Sequence, residues 1–460
     1  MELTIPNYMR YTPLARFPIF ASLILSVCSS SLQLQASEKN LPNFIIILAD
    51  DLGYGDVGCF GHPTHKTPHI DAIANEGIKF TDFHSNGAVC SPTRAALMTG
   101  RYQQRTGITG VVTAARHRHT GLSPDELTIA DVVKSAGYTT ALYGKWHLGY
   151  DPKFHPIQQG FDEFIGFVAG NVDYHIKIDQ TGREDWWKQD KLTPEEGYIT
   201  DLISDHGVEF IKQNKDKPFF LYLAHGAPHY PYQGRSTPPL YTPGKGRDKS
   251  KDNPTRDVYK EMIEVMDEGV GRIRKVLDEL DLSENTFIIF SADNGHSKIG
   301  SAGPLRGKKT SPYEGGHRVS TVASWPSKIK AGRVSSETLM LADLLPTFAS
   351  MAGASIPEDH VLDGVDITPY LLDKKAIAPR DLFWGIGPYI VVRRGEHKVI
   401  FSTRKSDKVE LYHLNEDLAE SNNLASQKLE LTQELVELGQ QWHLEVTDGV
   451  EPLTATRASQ

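Results

Sequence analysis

The residues of this chain that could do chemistry fall in a few short stretches. The first is Cys90-Ser91-Pro92-Thr93-Arg94, continuing to Thr99-Gly100-Arg101. Ser91 is a good helix N-cap, Pro92 suits the first helical position, Ala95 to Met98 are strong helix formers and Gly100 fits a C-terminal stop. The pattern predicts Cys90 just ahead of a helix N-terminus, where backbone N–H groups and the helix dipole favour an anion, with Arg94 adding a fixed positive charge. The second and third stretches are Asp50-Asp51 and Asp293-Asn294. Together they form an all-oxygen donor set of the kind hard cations prefer, and the Asn carbonyl tilts the choice towards Ca²⁺ over Mg²⁺. Either pair alone also fits ordinary turn chemistry; the metal reading rests on finding both at equivalent strand ends. Lys145, His147 and His229 complete the set.

Short apolar runs place these groups. Asn43–Ala49 has the pattern of a strand buried on both faces and ends in Asp50-Asp51. Thr139–Tyr143 leads into Lys145 and His147, Phe219–Ala224 into His225 and His229, and Thr286–Ala292 into Asp293-Asn294. Helical patterns at Thr67–Phe80 (running into a strand), Thr128–Ala136, Leu202–Gln213 and Val258–Leu280 alternate with them. The expected fold is α/β, a mostly parallel central sheet flanked by helices, with ligands outside the carboxyl ends of its strands. Distant clusters can converge there. Beyond about Gly353 the rhythm weakens. Short strands at Tyr389–Arg393, Lys398–Phe401 and Val409–Tyr412, then a helix at Gln427–Trp442, predict a smaller C-terminal α+β domain with a short antiparallel sheet. The expected division is 1–36, 37–375 and 376–460.

The 460 residues are 39% hydrophobic and 23% charged, enough for a large core, and 49 Lys plus Arg against 58 Asp plus Glu give a net charge of -9. That acidity argues against general nucleic-acid binding and requires local cations for any anionic substrate. Arg10 and Arg16 before the apolar run Phe17–Val27 read as an export signal, too short to span a membrane, which predicts a periplasmic or extracellular protein. Cys28 is a minority site for lipid attachment. Cys59 and Cys90 are the other two cysteines, too few for a disulfide framework and without zinc spacing; a single Cys59–Cys90 bridge would silence Cys90.

Taken together, Cys90-Ser91-Pro92-Thr93-Arg94 with Thr99-Gly100-Arg101 matches the signature Cys-x-Pro-x-Arg followed by Thr-Gly-Arg. The chain resembles the formylglycine-dependent (type I) sulfatases of the alkaline phosphatase-like superfamily. Ala49–Asp56, Gly144–Gly149, Ala227–Pro231, Ser291–Gly295, and Lys309 ahead of Tyr313–Gly316 follow in the right order, with Glu410-Leu411-Tyr412 and Asn422-Asn423-Leu424 in the tail. The resemblance implies that a maturation enzyme converts Cys90 to formylglycine. Its hydrate, with one Ca²⁺ held by Asp50, Asp51, Asp293, Asn294 and residue 90, would attack sulfur. Asp293 would accept a proton, His229 helped by Lys309 would protonate the leaving alcohol, and His147 would act as base for sulfate release. Arg94 and Lys145 would hold the oxygens. Lys308 departs from the glycine common there in relatives. His117, Arg118, His119, His175, Trp186, Trp187 and Arg235 lie in loops that suit a sulfated carbohydrate, or that pack on their own domain. The rival readings are a phosphonate or phosphodiester hydrolase of the same superfamily and an inactive glycan-binding homologue.

Overall fold

The computed structural model describes residues 41–248, 250, 255–404 and 408–453. The expected export signal and Cys28 lie outside them. Asn43–Ala49 is the middle strand of a ten-stranded sheet and every residue in it is buried, as its unbroken apolar run requires. It pairs in parallel with Thr286–Ala292 on one side and Phe219–Ala224 on the other. Thr139–Lys145 and Glu163–Phe167 extend the parallel run. The outer strands include antiparallel pairings, with Thr321–Ser324 beside Thr286–Ala292 and the short Trp187–Lys188 beside Glu163–Phe167. Helices pack on this sheet, among them Ile199–Gln213 against Arg256–Glu279. The expected α/β architecture is therefore present. Among the described residues, no helix is long and apolar enough to cross a membrane.

Register is what matters for the site. Ala49 lies opposite Ala292, while Leu48 and Gly144 both lie opposite Ala224. Four strands thus end almost level, and the residues that follow them must share one rim. The 139–145 strand can approach so closely because Gly144 has φ +110°, and a Cβ there would sit 2.1 Å from the Ala224 carbonyl oxygen.

After residue 353 four antiparallel strands follow in order, Asp381–Ile386, Tyr389–Arg394, His397–Ser402 and Glu410–His413, covered by helix Leu429–Thr447. The sequence pattern marks the last three but not Asp381–Ile386. Its outward positions are only half-buried, so its apolar run is broken, and Pro379 just ahead of it reads as a loop.

Helix Pro68–Glu76 shows how a buried carboxylate can serve the fold. Thr67 at its N-cap makes no side-chain cap. Instead the Asp267 carboxylate, reaching from the long helix, accepts the N–H of His69 at 3.1 Å and of Ile70 at 2.8 Å. Burial pushes the Asp267 carboxyl up to about 7, above the unfolded value of about 4. Its contribution is greatest at low pH and fades as pH rises through 7. Asp267→Ala should cost about 1–3 kcal/mol in urea unfolding at pH 5. The stability gap between wild type and the non-titrating Asp267→Asn should narrow from pH 4 to 8; a widening gap would contradict the shift.

Candidate active site

The floor of the site is the rim those strands create. The Asp293 N–H donates to the Ala49 carbonyl at 3.0 Å and the His225 N–H to Leu48 at 2.9 Å, so the sheet's hydrogen bonding carries on past the strand ends. Asp51 turns the chain with φ +61°, and its N–H donates to Asp293 Oδ1 at 3.2 Å. Asp50, Asp51, Asp293 and Asn294 come together in this way, all buried.

Helix Cys90–Thr99 is buried on every side and points its N-terminus at the floor. One expectation needs correction. Val89, extended at φ −151°, takes the N-cap position, so Cys90 is the first helical residue and Pro92 the third. Pro92 is tolerated because the first turn's N–H groups have no helical partner in any case. Ser91 does no capping; its Oγ accepts the Val112 N–H at 3.1 Å. Gly100 ends the helix at φ +66°, as its type predicted. Cys59 and Cys90 are both free, so no bridge silences Cys90. Its Sγ stands where the oxygens of a matured residue 90 would lie, 3.2 Å from Asp50 Oδ1 and 3.3 Å from Lys309 Nζ.

Three carboxylates face three cations. Lys145 Nζ lies 2.5 Å from Asp50 Oδ2, Lys309 Nζ 2.5 Å from Asp51 Oδ1, and Arg94 holds Asp293 Oδ2 through Nε at 3.2 Å and Nη2 at 3.0 Å. A further Arg94 bond to the Lys145 carbonyl at 3.0 Å locks the guanidinium. Burial would raise the Asp50 carboxyl, but Lys145, His229, Arg94 and Lys309 outweigh it and hold it far below the usual range. Burial, then the charge of Asp50, pushes Asp293 up. Burial, with Asp293 and Asp50, also pushes the Cys90 thiol up, so unmodified Cys90 is not a thiolate nucleophile.

Both candidate histidines are neutral. His147, at φ +60°, donates Nε2–H to the Val112 carbonyl at 3.0 Å, which leaves a buried, unpartnered Nδ1 lone pair. Burial, then Lys145 and Arg94, lowers it well below its ordinary value. His229 donates Nδ1–H to the Tyr230 carbonyl at 2.5 Å, and its Nε2 lies 3.5 Å from Asp51 Oδ2. Burial overrides Asp50 and Asp51 to lower it to about 4.

The donor set fits a hard divalent cation. Asp51 Oδ2 and Asn294 Oδ1 are buried without hydrogen-bond partners, while Asn294 Nδ2 is spent on Asp51 Oδ1 at 2.8 Å and the Gly295 carbonyl at 3.0 Å. Oxygens buried and left open are costly unless something binds them. With the carboxylates already balanced by cations, a divalent ion would leave the site net positive, matched to an anionic ester.

At the rim the packing alternative holds for the two tryptophans and the two arginines. Trp186 is only 4% exposed and bonds Glu195, Trp187 bonds Asp185, Arg118 pairs with Asp179, and Arg235 with Asp201 and Glu268. The tryptophans are tied within their own loop, and the two arginines to neighbouring segments. His225 has Arg272 and Asp201 as its charged neighbours, not the strand-end carboxylates. The cavity beside Asp50 and His229 is lined instead by Asn171, Tyr174 and Tyr230, among others. Tyr230 stands within the Pro-His-Tyr-Pro stretch and could have been found from it; Asn171 and Tyr174 carry no local signal.

Comparison with known proteins gives the family. Residues 42–354 match the family model described as Sulfatase, and 308–443 match that of N-sulphoglucosamine sulphohydrolase, C-terminal. The chain is 36% identical over 388 residues to N-acetylgalactosamine-6-sulfatase of Canis lupus familiaris, covering 79% of this chain and 72% of that one. It is 36% identical over 405 residues to arylsulfatase A of Homo sapiens, with 79% and 76% covered. The solved structure of Ps i-CgsB in complex with k-i-k-neocarrahexaose superposes with a TM-score of 0.79 at 31% identity, covering 88% of this chain and 93% of that one. The chain belongs to the sulfatase family and is a sulfuric ester hydrolase.

The buried Arg94–Asp293 pair sets the local stability. Arg94→Ala would strand a buried carboxylate and should lower the unfolding free energy by about 3–5 kcal/mol in denaturant titration. A loss below 1 kcal/mol would show that Asp293 does not depend on it.

Proposed function

We propose that this protein removes sulfate from a sulfated carbohydrate, using a formylglycine matured from Cys90 and one Ca²⁺ held by Asp50, Asp51, Asp293, Asn294 and residue 90. The observation that carries this reading is the convergence of Cys90 with two open, buried oxygens, Asp51 Oδ2 and Asn294 Oδ1, among three fixed cations. The matured residue would supply an aldehyde hydrate as nucleophile, and the ion a Lewis acid. Asp293, whose carboxyl burial pushes up, is suited to accept a proton beside residue 90. Arg94 keeps Asp293 oriented, and Lys145 with Arg94 stabilises the charge that gathers on the sulfate oxygens. Lys309 stays protonated. Burial alone would lower it, but Asp51, residue 90, Asp50 and Asp293 raise it well above the ordinary lysine range. In this reading His229, helped by Lys309, supplies the proton to the leaving oxygen. His147, with its free Nδ1, is the base for the release step that restores residue 90.

A carbohydrate substrate draws support from the relative named N-acetylgalactosamine-6-sulfatase and the structure holding a neocarrahexaose. A maturation enzyme acting on Cys90, export to the periplasm or cell exterior, and a division near residue 375 belong to the same proposal. The apolar cluster around Trp384, Val392 and Leu411 draws mostly on residues after 375, with Ala88, Tyr102, Met340 and Ala342 joining it from before.

Mass spectrometry of the Cys90 peptide, from protein co-expressed with a maturation enzyme, should show the aldehyde; thiol alone would defeat the mechanism. Cys90→Ala should fold with an unchanged melting temperature and lose all turnover. Chelating Ca²⁺ should abolish activity, and Ca²⁺ should restore it. Phosphodiesters turning over faster than sulfate esters would favour the rival hydrolase.

A further inference from the structure

Lys309 sits at the tip of a loop whose base belongs to another part of the molecule. The loop Arg306–Gly315 is closed by the Gly315 N–H donating to the Arg306 carbonyl at 2.7 Å. Its tip is tied to the main domain: Lys309 N–H donates to the His296 carbonyl at 3.0 Å, and Thr310 N–H, at φ +72°, to Ala88 at 2.8 Å. The base is gripped by the C-terminal sheet and the turn after it. Arg306 Nη1 donates to the Glu420 carbonyl at 2.6 Å and to the Tyr412 hydroxyl at 3.2 Å, and its guanidinium lies 3.7 Å from the Tyr313 ring centroid. The hydroxyls of Tyr313 and Tyr412 both donate to Glu410 Oε2, at 2.8 and 2.7 Å. The Glu314 N–H donates to Glu420 Oε2 at 2.7 Å. Beneath them the wholly buried Lys398 ammonium is 2.8 Å from both Glu314 Oε1 and Glu420 Oε1. Glu420 itself is buried at φ +51°, a conformation that costs a non-glycine residue energy and persists only where surrounding contacts hold it.

These contacts surround Lys309 in sequence, three residues before it and four to five after. A lysine stem is flexible, so its ammonium can serve one leaving oxygen only if its backbone is fixed on both sides. We propose that the C-terminal sheet is a clamp that sets the position of the Lys309 ammonium, with Glu420 and Tyr412 as positioning residues. This rests on the reading of Lys309 as a proton source for the leaving group.

The test compares leaving groups. A sugar alkoxide needs its proton in the transition state, whereas nitrophenolate leaves with little help. Glu420→Ala, and the milder Tyr412→Phe, should lower kcat on a sulfated sugar on the order of tenfold more than on nitrophenyl sulfate, with KM little changed. Hydrogen exchange should rise in peptides covering 305–316. Where Lys309→Ala discriminates, equal loss on both substrates in both variants, or unchanged exchange there, would overturn the clamp, since a general loss of stability does not discriminate between leaving groups. Lys309→Ala is the reference. If it too fails to discriminate, the proton-source reading falls; the clamp then stands if exchange in 305–316 rises in Glu420→Ala and falls if it does not.

Discussion

Three carboxylates within one buried pocket are the constraint on which the rest of this structure depends. Asp50, Asp51 and Asp293 are all buried, and such a group of charges is tolerable only when each has a partner at hydrogen-bond range. Each partner comes from a different kind of element. Lys145 is the last residue of a strand, Arg94 lies one turn into a helix, and Lys309 rides on a loop. No single segment could supply all three.

The same burial sets the protonation of everything else nearby. It keeps Cys90 a neutral thiol and both histidines neutral, and it leaves oxygens of Asp51 and Asn294 without donors. A thiol in this setting is a poor nucleophile. The hydrogen bond each imidazole makes with a carbonyl decides which nitrogen remains open, Nδ1 in His147 and Nε2 in His229. Proton bookkeeping at the site is thus written in backbone positions.

The wall of the cavity obeys a different logic. The crossover between Phe167 and Ile199 has little regular structure and is shaped by buried carboxylates. Asp185 accepts the N–H groups of Val168 and Ala169 and the Trp187 indole, and Asp173 accepts those of His175, Ile176, Leu240 and Tyr241. Asp185 thus holds the Trp187 indole, while Asn171 and Tyr174 line the cavity beside Asp50 and His229. Composition left two readings for these Trp and His residues, sugar contact or packing on their own domain, and for the two tryptophans the structure shows the second.

Much was nonetheless legible in the linear chain. Unbroken apolar runs marked the buried strands, because a strand covered on both faces has no polar side, and the polar residues after each run marked the rim where parallel strands end. The Cys-x-Pro-x-Arg signature and its companions named the family. The helix start moved by two residues because proline fits anywhere in the first turn, and the half-exposed positions of the strand Asp381–Ile386 break the apolar pattern that marks the others. What the sequence alone determined was which charged groups, with Cys90, would meet at the strand ends. Which charge meets which, which imidazole nitrogen stays open, and what holds Lys309 in place were decided only by the tertiary structure, because those contacts join residues up to more than two hundred positions apart, and no local pattern carries information over that distance.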